Sequence, residues 1–151
     1  FTGRHKVLAR YRAYHGATFG AMTLTGDPRR WANEPGLVGV VRYPDTHRWG
    51  EPEPRPVEES LQGLEDVIRY EGPHTIAAVF LETIVGTNGI LIPPDGYLQG
   101  VRELCDRHGI LPSIAPMPSW ETTPPGDVFR IFERGGRNLG QILADFRRVL
   151  L

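Results

Sequence analysis

The stretch Ile76-Ala77-Ala78-Val79-Phe80-Leu81-Glu82 restricts the fold more than any other. Six apolar residues run unbroken and end on a carboxylate. So short a continuous apolar run fits a strand buried on both faces, the usual state in a parallel sheet. The upstream chain then reads as elements that flank this strand. In open α/β sheets ligands bind outside the carboxyl ends of the strands, so Glu82 stands where chemistry is done. On geometry alone the plainer reading ranks first: Glu82 ends a strand and meets water.

A chain of 151 residues is one domain by length, with enough material for a core. Hydrophobic content of 40% and a net charge of −1 give no case for nucleic acid or an acidic surface as partner. No apolar run approaches the length that crosses a bilayer. Phe1-Thr2-Gly3-Arg4-His5-Lys6 lacks the apolar core of a signal peptide, and the absence of an initiator Met is consistent with a start inside a longer chain. Cys105 is alone, which excludes an internal disulfide and leaves a reducing cytoplasm as the default compartment. Residues 1–31 carry a local charge of +5 and residues 51–72 one of −5, read as solvated surface with local pairing.

From His5 to Arg12 the chain alternates, Val7, Ala9 and Tyr11 on one face and Leu8, Arg10 and Arg12 on the other, which is a strand pattern. The spacing predicts further strands near 38–42 and 76–82 and a short one near 110–115. Phe19 and Met22 suit a short helix near 17–24, broken by Gly26-Asp27-Pro28, with a loop from Arg29 to Gly36. Pro44 to Pro56 reads as irregular. Val57, Leu61, Leu64 and Ile68 recur at helical spacing over 57–71, with Glu58 and Glu59 in the first turn and Gly72-Pro73 as the stop. Asp95 is expected to cap a helix over 95–108 that Gly109 terminates. Pro112 is expected to cut the fourth strand short. Beyond it come a Pro-rich loop and an amphipathic helix near 138–150. Strand–helix alternation is the α/β signature, with right-handed crossovers on a parallel sheet.

No G-x-S-x-G, G-x-x-x-x-G-K-[ST] or H-E-x-x-H occurs, and the five His never form a close pair, so no metal site is expected. One ordered set of segments is specific. Thr2-Gly3-Arg4-His5-Lys6-Val7 leads into Arg10-Tyr11-Arg12-Ala13-Tyr14-His15-Gly16, then Thr25-Gly26-Asp27-Pro28-Arg29-Arg30-Trp31. Ala78-Val79-Phe80-Leu81-Glu82-Thr83 follows, then Pro93-Pro94-Asp95-Gly96-Tyr97 through Arg102-Glu103-Leu104-Cys105-Asp106-Arg107-His108-Gly109. In that order they resemble the large domain of class III pyridoxal-phosphate aminotransferases, with the flavour of the ω-amino acid or taurine–pyruvate group. The resemblance covers residues 1–111, and 112–151 form a divergent tail.

The resemblance implies a fold of the type I pyridoxal-phosphate transferases, a partial, mostly parallel three-layer α/β sheet. It implies transfer of an amino group from an amine or amino acid to a keto acid such as pyruvate, in a homodimer. Tyr14 matches the family's ring-stacking aromatic, an apt partner for a flat, electron-poor ring. Without the family it reads as an ordinary half-buried Tyr. His15 matches the neighbouring position, where a structural role is at least as good a reading. Gly16 allows a tight turn beside the ring. Glu82 matches the acid near the cofactor.

The departures concern the cofactor's anchors. Where the family places the Asp that pairs with the pyridinium nitrogen, Leu111-Pro112-Ser113-Ile114-Ala115-Pro116 stands. Lys6 is the only lysine, at the wrong end for the Schiff base. The phosphate-gripping segment would precede residue 1. The expectation is a fragment that does not retain pyridoxal phosphate and has no catalytic residue of its own, with a shallow, wet crevice and a solvated Glu82. The alternative is a non-catalytic binding or scaffold module in which residues 112–151 replace the lost half.

Overall fold

A computed structural model describes residues 2–32, 39–86 and 88–115. Its strands are β1 (Lys6–Arg10), β2 (Val40–Tyr43), β3 (Ile76–Glu82) and β4 (Leu111–Ala115). They form one all-parallel sheet in the order β2–β1–β3–β4. Helices α1 (Phe19–Leu24), α2 (Val57–Glu71) and α3 (Tyr97–His108) lie in the connections. The expected helix near 138–150 and the rest of the tail beyond 115 lie outside the described residues.

Strand register sorts the side chains. Leu8 is level with Val41 and Val79, and Leu81 with Ile114, so these residues share one face. That face meets Leu64 and Ile68 of α2 and Val101 and Leu104 of α3 in a single buried cluster. Arg10 and Tyr43 are also level, so the charge of Arg10 points into the same apolar layer, where it is only 1% exposed. The opposite face carries Ala9, Arg42, Phe80 and Glu82. Cys105 is buried, and burial pushes its thiol up to about 11, so it is inert core.

Local chemistry sets the element ends. α2 begins at Val57 with Glu58 and Glu59 in its first turn and stops at Gly72, whose φ is 84°. Gly109 ends α3 in the left-handed conformation that lets two backbone carbonyls be capped. The N-cap of α3 is Gly96, not Asp95, so the helix starts two residues later than the sequence suggests. Residues Pro28–Ala32 form a 3-10 turn where a loop was expected. Proline presets its first φ, and Asp27 Oδ1 accepts the Arg29 N–H at 2.7 Å. β4 runs through Pro112, level with Val79, for five residues. It is an edge among the described strands, and an edge tolerates a residue without an N–H.

The 44–56 segment holds one isolated bridge, between His47 and Pro54. The acidic 51–72 stretch is paired locally: Glu59 with Arg48 and Arg55, Glu65 with Arg69, Glu71 with Lys6. Among the described residues no helix is long and apolar enough to cross a membrane.

Candidate functional site

The strand order makes one place on the sheet special. β1 connects outward to β2, whereas β3 connects in the other direction to β4, so the path reverses between β1 and β3. At such a switch point the loops leaving the two carboxyl ends diverge and open a crevice. The loop leaving β1 carries Tyr14, His15 and Gly16, and β3 ends on Glu82.

These loops are bonded to each other. Glu82 Oε1 accepts the Tyr14 N–H at 2.7 Å, and Oε2 faces the Gly86 N–H at 3.4 Å. The expected solvated Glu82 is corrected: it is 1% exposed. The segment after it folds back through reciprocal bonds between Val85 and Leu91. Burial raises the Glu82 carboxyl above its ordinary value, and the Tyr14 N–H and the Arg10 charge pull the other way.

Tyr14 is half-buried, and the Arg29 guanidinium lies over its ring at 4.3 Å. His15 packs edge-on to Phe80, with centroids 6.1 Å apart, and donates its N–H to Thr25 Oγ1 at 3.1 Å. Burial, then the Arg10 charge, lowers its pKa, so the ring is neutral at pH 7. Gly16 has φ of 118°, a conformation side chains resist. The structure therefore brings all four candidate residues to one edge. Lys6 is elsewhere: it opens β1 at the amino edge and bonds the Glu71 carboxylate and carbonyl, each at 2.8 Å.

Sequence reasoning missed the second layer. Arg10 Nη2 donates to the Glu82 carbonyl at 3.2 Å, and its Nε lies 3.9 Å from the buried Asp45. Arg12, at φ of 65°, donates to the Asn88 carbonyl at 3.0 Å, and the Asn88 side-chain amide donates back to the Arg12 carbonyl. Trp49 lies against the Arg12 guanidinium at 5.6 Å. An arginine inside an apolar alternation, at Arg10, was the available signal.

The sequence profile of the aminotransferase class-III family matches residues 1–112. An uncharacterised aminotransferase of Bacillus subtilis is 40% identical over 111 residues, 72% of this chain and 24% of that protein. A hypotaurine/taurine–pyruvate aminotransferase of Paracoccus denitrificans is 35% identical over 116 residues, again 24% of its length. The structure of a taurine:2-oxoglutarate aminotransferase from Bifidobacterium kashiwanohense, in complex with PLP and glutamate, superposes with a TM-score of 0.69 at 40% identity. That match covers 75% of this chain and 27% of the other. The chain spans about a quarter of the length of the curated relatives it matches. By this match over residues 1–112, the chain belongs to the class III aminotransferase family.

Proposed function

We propose that the β1–β3 crevice is one wall of a pyridoxal-phosphate site, in a protein that moves an amino group from an amine or amino acid to a keto acid such as pyruvate. The observation that carries the reading is the hydrogen bond from the Tyr14 backbone N–H to the buried Glu82 carboxylate, which ties the loop that carries an aromatic ring to an acid at the switch point. The names of two relatives, hypotaurine/taurine–pyruvate and taurine:2-oxoglutarate aminotransferase, support an amino donor and a keto-acid acceptor.

The residues present fit part of such a site. Tyr14 offers a ring face for a flat heterocycle, Gly16 lets the backbone turn beside it, and neutral His15 fills the space against Phe80. Glu82 fixes the height of the Tyr14 loop over the sheet. They do not fit the covalent anchor. Lys6 is at the opposite edge, and Leu111 to Ala115 offer no acid to a pyridinium nitrogen. When bound, pyridoxal phosphate supplies the electron-withdrawing ring, which no side chain replaces. The described residues, then, position a ring without attaching it, and the sequence holds no lysine besides Lys6. A cytoplasmic homodimer, the family's usual assembly by resemblance, belongs to the same proposal. The position of the single lysine also favours a second reading, a binding or scaffold module with no chemistry.

A graft separates the two. Residues 1–111 would replace the matching segment of the Bacillus subtilis relative. The proposal expects a graft that takes up pyridoxal phosphate and transaminates, with kcat/KM falling about fivefold on Tyr14→Ala, as loss of about 1 kcal/mol of stacking requires. A soluble graft that takes up no cofactor would favour the scaffold reading. Alone, the chain is expected to show weak, non-saturating uptake in equilibrium dialysis and no defined borohydride-fixed adduct.

A further inference from the structure

The segment Thr25-Gly26-Asp27-Pro28-Arg29 has no part in the reading above, yet it holds the Tyr14 loop residue by residue. The Ala13 carbonyl accepts N–H groups from Gly26 at 2.9 Å and Asp27 at 3.1 Å. The His15 N–H donates to Thr25 Oγ1 at 3.1 Å, and that hydroxyl donates to the Ala21 carbonyl at 3.1 Å. With the Tyr14 N–H on Glu82, three successive backbone positions are fixed. None of these bonds fixes the Tyr14 ring, which turns about its own side-chain torsions.

The ring meets Arg29 instead. The Arg29 side chain is 48% exposed, and so exposed an arginine samples many rotamers unless something holds it. Asp27 holds it. Asp27 is only 3% exposed, and its carboxylate takes three bonds from Arg29, from the backbone N–H, Nε and Nη2, each at 2.7 Å. A bidentate fork fixes the guanidinium plane, and the backbone bond fixes where the fork starts. We propose that Asp27 is a positioning residue that orients the Tyr14 ring through Arg29, closing one ring face so that a flat ligand stacks on the other.

The functional meaning of that orientation rests on Tyr14 being the stacking residue, and the test keeps the two claims apart. The full chain, labelled with 3-fluorotyrosine, gives fluorine signals from five tyrosines, and Tyr14→Phe identifies the one that matters. Arg29→Met should shift and broaden the Tyr14 signal while the other four stay put, and Arg29→Lys should restore part of the shift. Asp27→Asn, which does not touch the ring, should move the same signal in the same direction. The double variant should move it no further than Arg29→Met alone. A Tyr14 signal unmoved by Asp27→Asn, or additive shifts in the double variant, would overturn the proposal. Should Asp27→Asn disturb all five signals, Asp27→Glu keeps the charge and displaces the fork. It should then give a smaller shift confined to Tyr14, and no Tyr14 shift would again overturn the proposal. Pyridoxamine 5′-phosphate is then added. Coupled Asp27 and Arg29 effects with no response of Tyr14 to that ligand would uphold the positioning role and reject the cofactor reading.

Discussion

Two carboxyls at the carboxyl edge are shifted in opposite directions, and each shift has a testable sign. Burial raises Glu82, so the folded state binds its proton more tightly than the unfolded chain does. Glu82 therefore costs stability at neutral pH, and that cost fades as pH falls toward its ordinary 4.5. Urea unfolding of Glu82→Gln should show its highest stability relative to wild type near pH 7, declining on acidification and level below 4.5. A constant difference across that range would mean that the carboxylate is not desolvated. Asp27 behaves oppositely. Hydrogen bonding to Arg29 lowers it, so its contribution is complete above its ordinary 3.8 and is lost as pH falls below that value. Wild type should keep its advantage over Asp27→Asn down to about pH 4 and lose about 1.4 kcal/mol for each unit by which the two pKa values differ. An advantage already gone at pH 5 would contradict the bidentate fork. Glu82 itself was legible as a position and not as an environment. A run of apolar residues ending on an acid marks a strand exit, but the carboxylate is held by the backbone N–H groups of Tyr14 and Gly86, which leave no pattern in the sequence.

At the scale of elements, periodicity carried most of the fold. α2 matches its expected span of 57–71, and the four strands lie within a few residues of theirs. Strand direction followed from the continuous apolar run of β3, which needs helices on the connections. Less legible were the pieces where side chains bond the backbone, such as the 3-10 turn after Asp27 and the start of α3 at Gly96. Close approaches are also invisible in sequence until a glycine is seen against its neighbour. A Cβ at Gly26 would lie 2.3 Å from the Arg10 carbonyl oxygen and 2.7 Å from the Tyr11 Cα. The Arg10–Tyr11 backbone cannot give way as a flexible side chain would, so Gly26→Ala should destabilise by about 3 kcal/mol. Gly100 is a different case. A Cβ there meets the tip of Leu61 on α2, at 2.3 Å from Cδ1. Gly100→Ala should cost about 1 kcal/mol in wild type yet stabilise by up to about 1 kcal/mol in a Leu61→Ala background, where helix propensity acts unopposed. A four-variant urea series reads the reversal; equal effects in both backgrounds would rule out the contact.

For the whole molecule, the core and the crevice meet at Arg10. Its guanidinium lies in the apolar layer beneath the sheet and reaches the Glu82 carbonyl and Asp45, joining β1, the exit of β3 and the loop after β2. Arg10→Met leaves Asp45 buried without its partner and should cost about 3–5 kcal/mol, much of it recovered when Asp45→Asn is added. Thermal unfolding of the two variants measures the recovery, and an additive double variant would show the pair to be uncoupled. The family was legible because ordered segments such as Arg10 to Gly16 and Ala78 to Thr83 lie at the carboxyl ends of the two strands that form the switch point and in the loops that leave them. The Tyr14 loop, held to the buried Glu82, is proposed to form one wall of a site for a flat ring. An amide-resolved NMR titration of the chain with pyridoxamine 5′-phosphate, which lacks the aldehyde that reacts with Lys6, tests it most directly. Weak, fast-exchanging shifts concentrated on the Tyr14, His15, Gly16 and Gly86 amides are expected, whereas shifts centred on Lys6 and Glu71 at the amino edge, or none at millimolar ligand, would rule out a ring site at the Tyr14 loop.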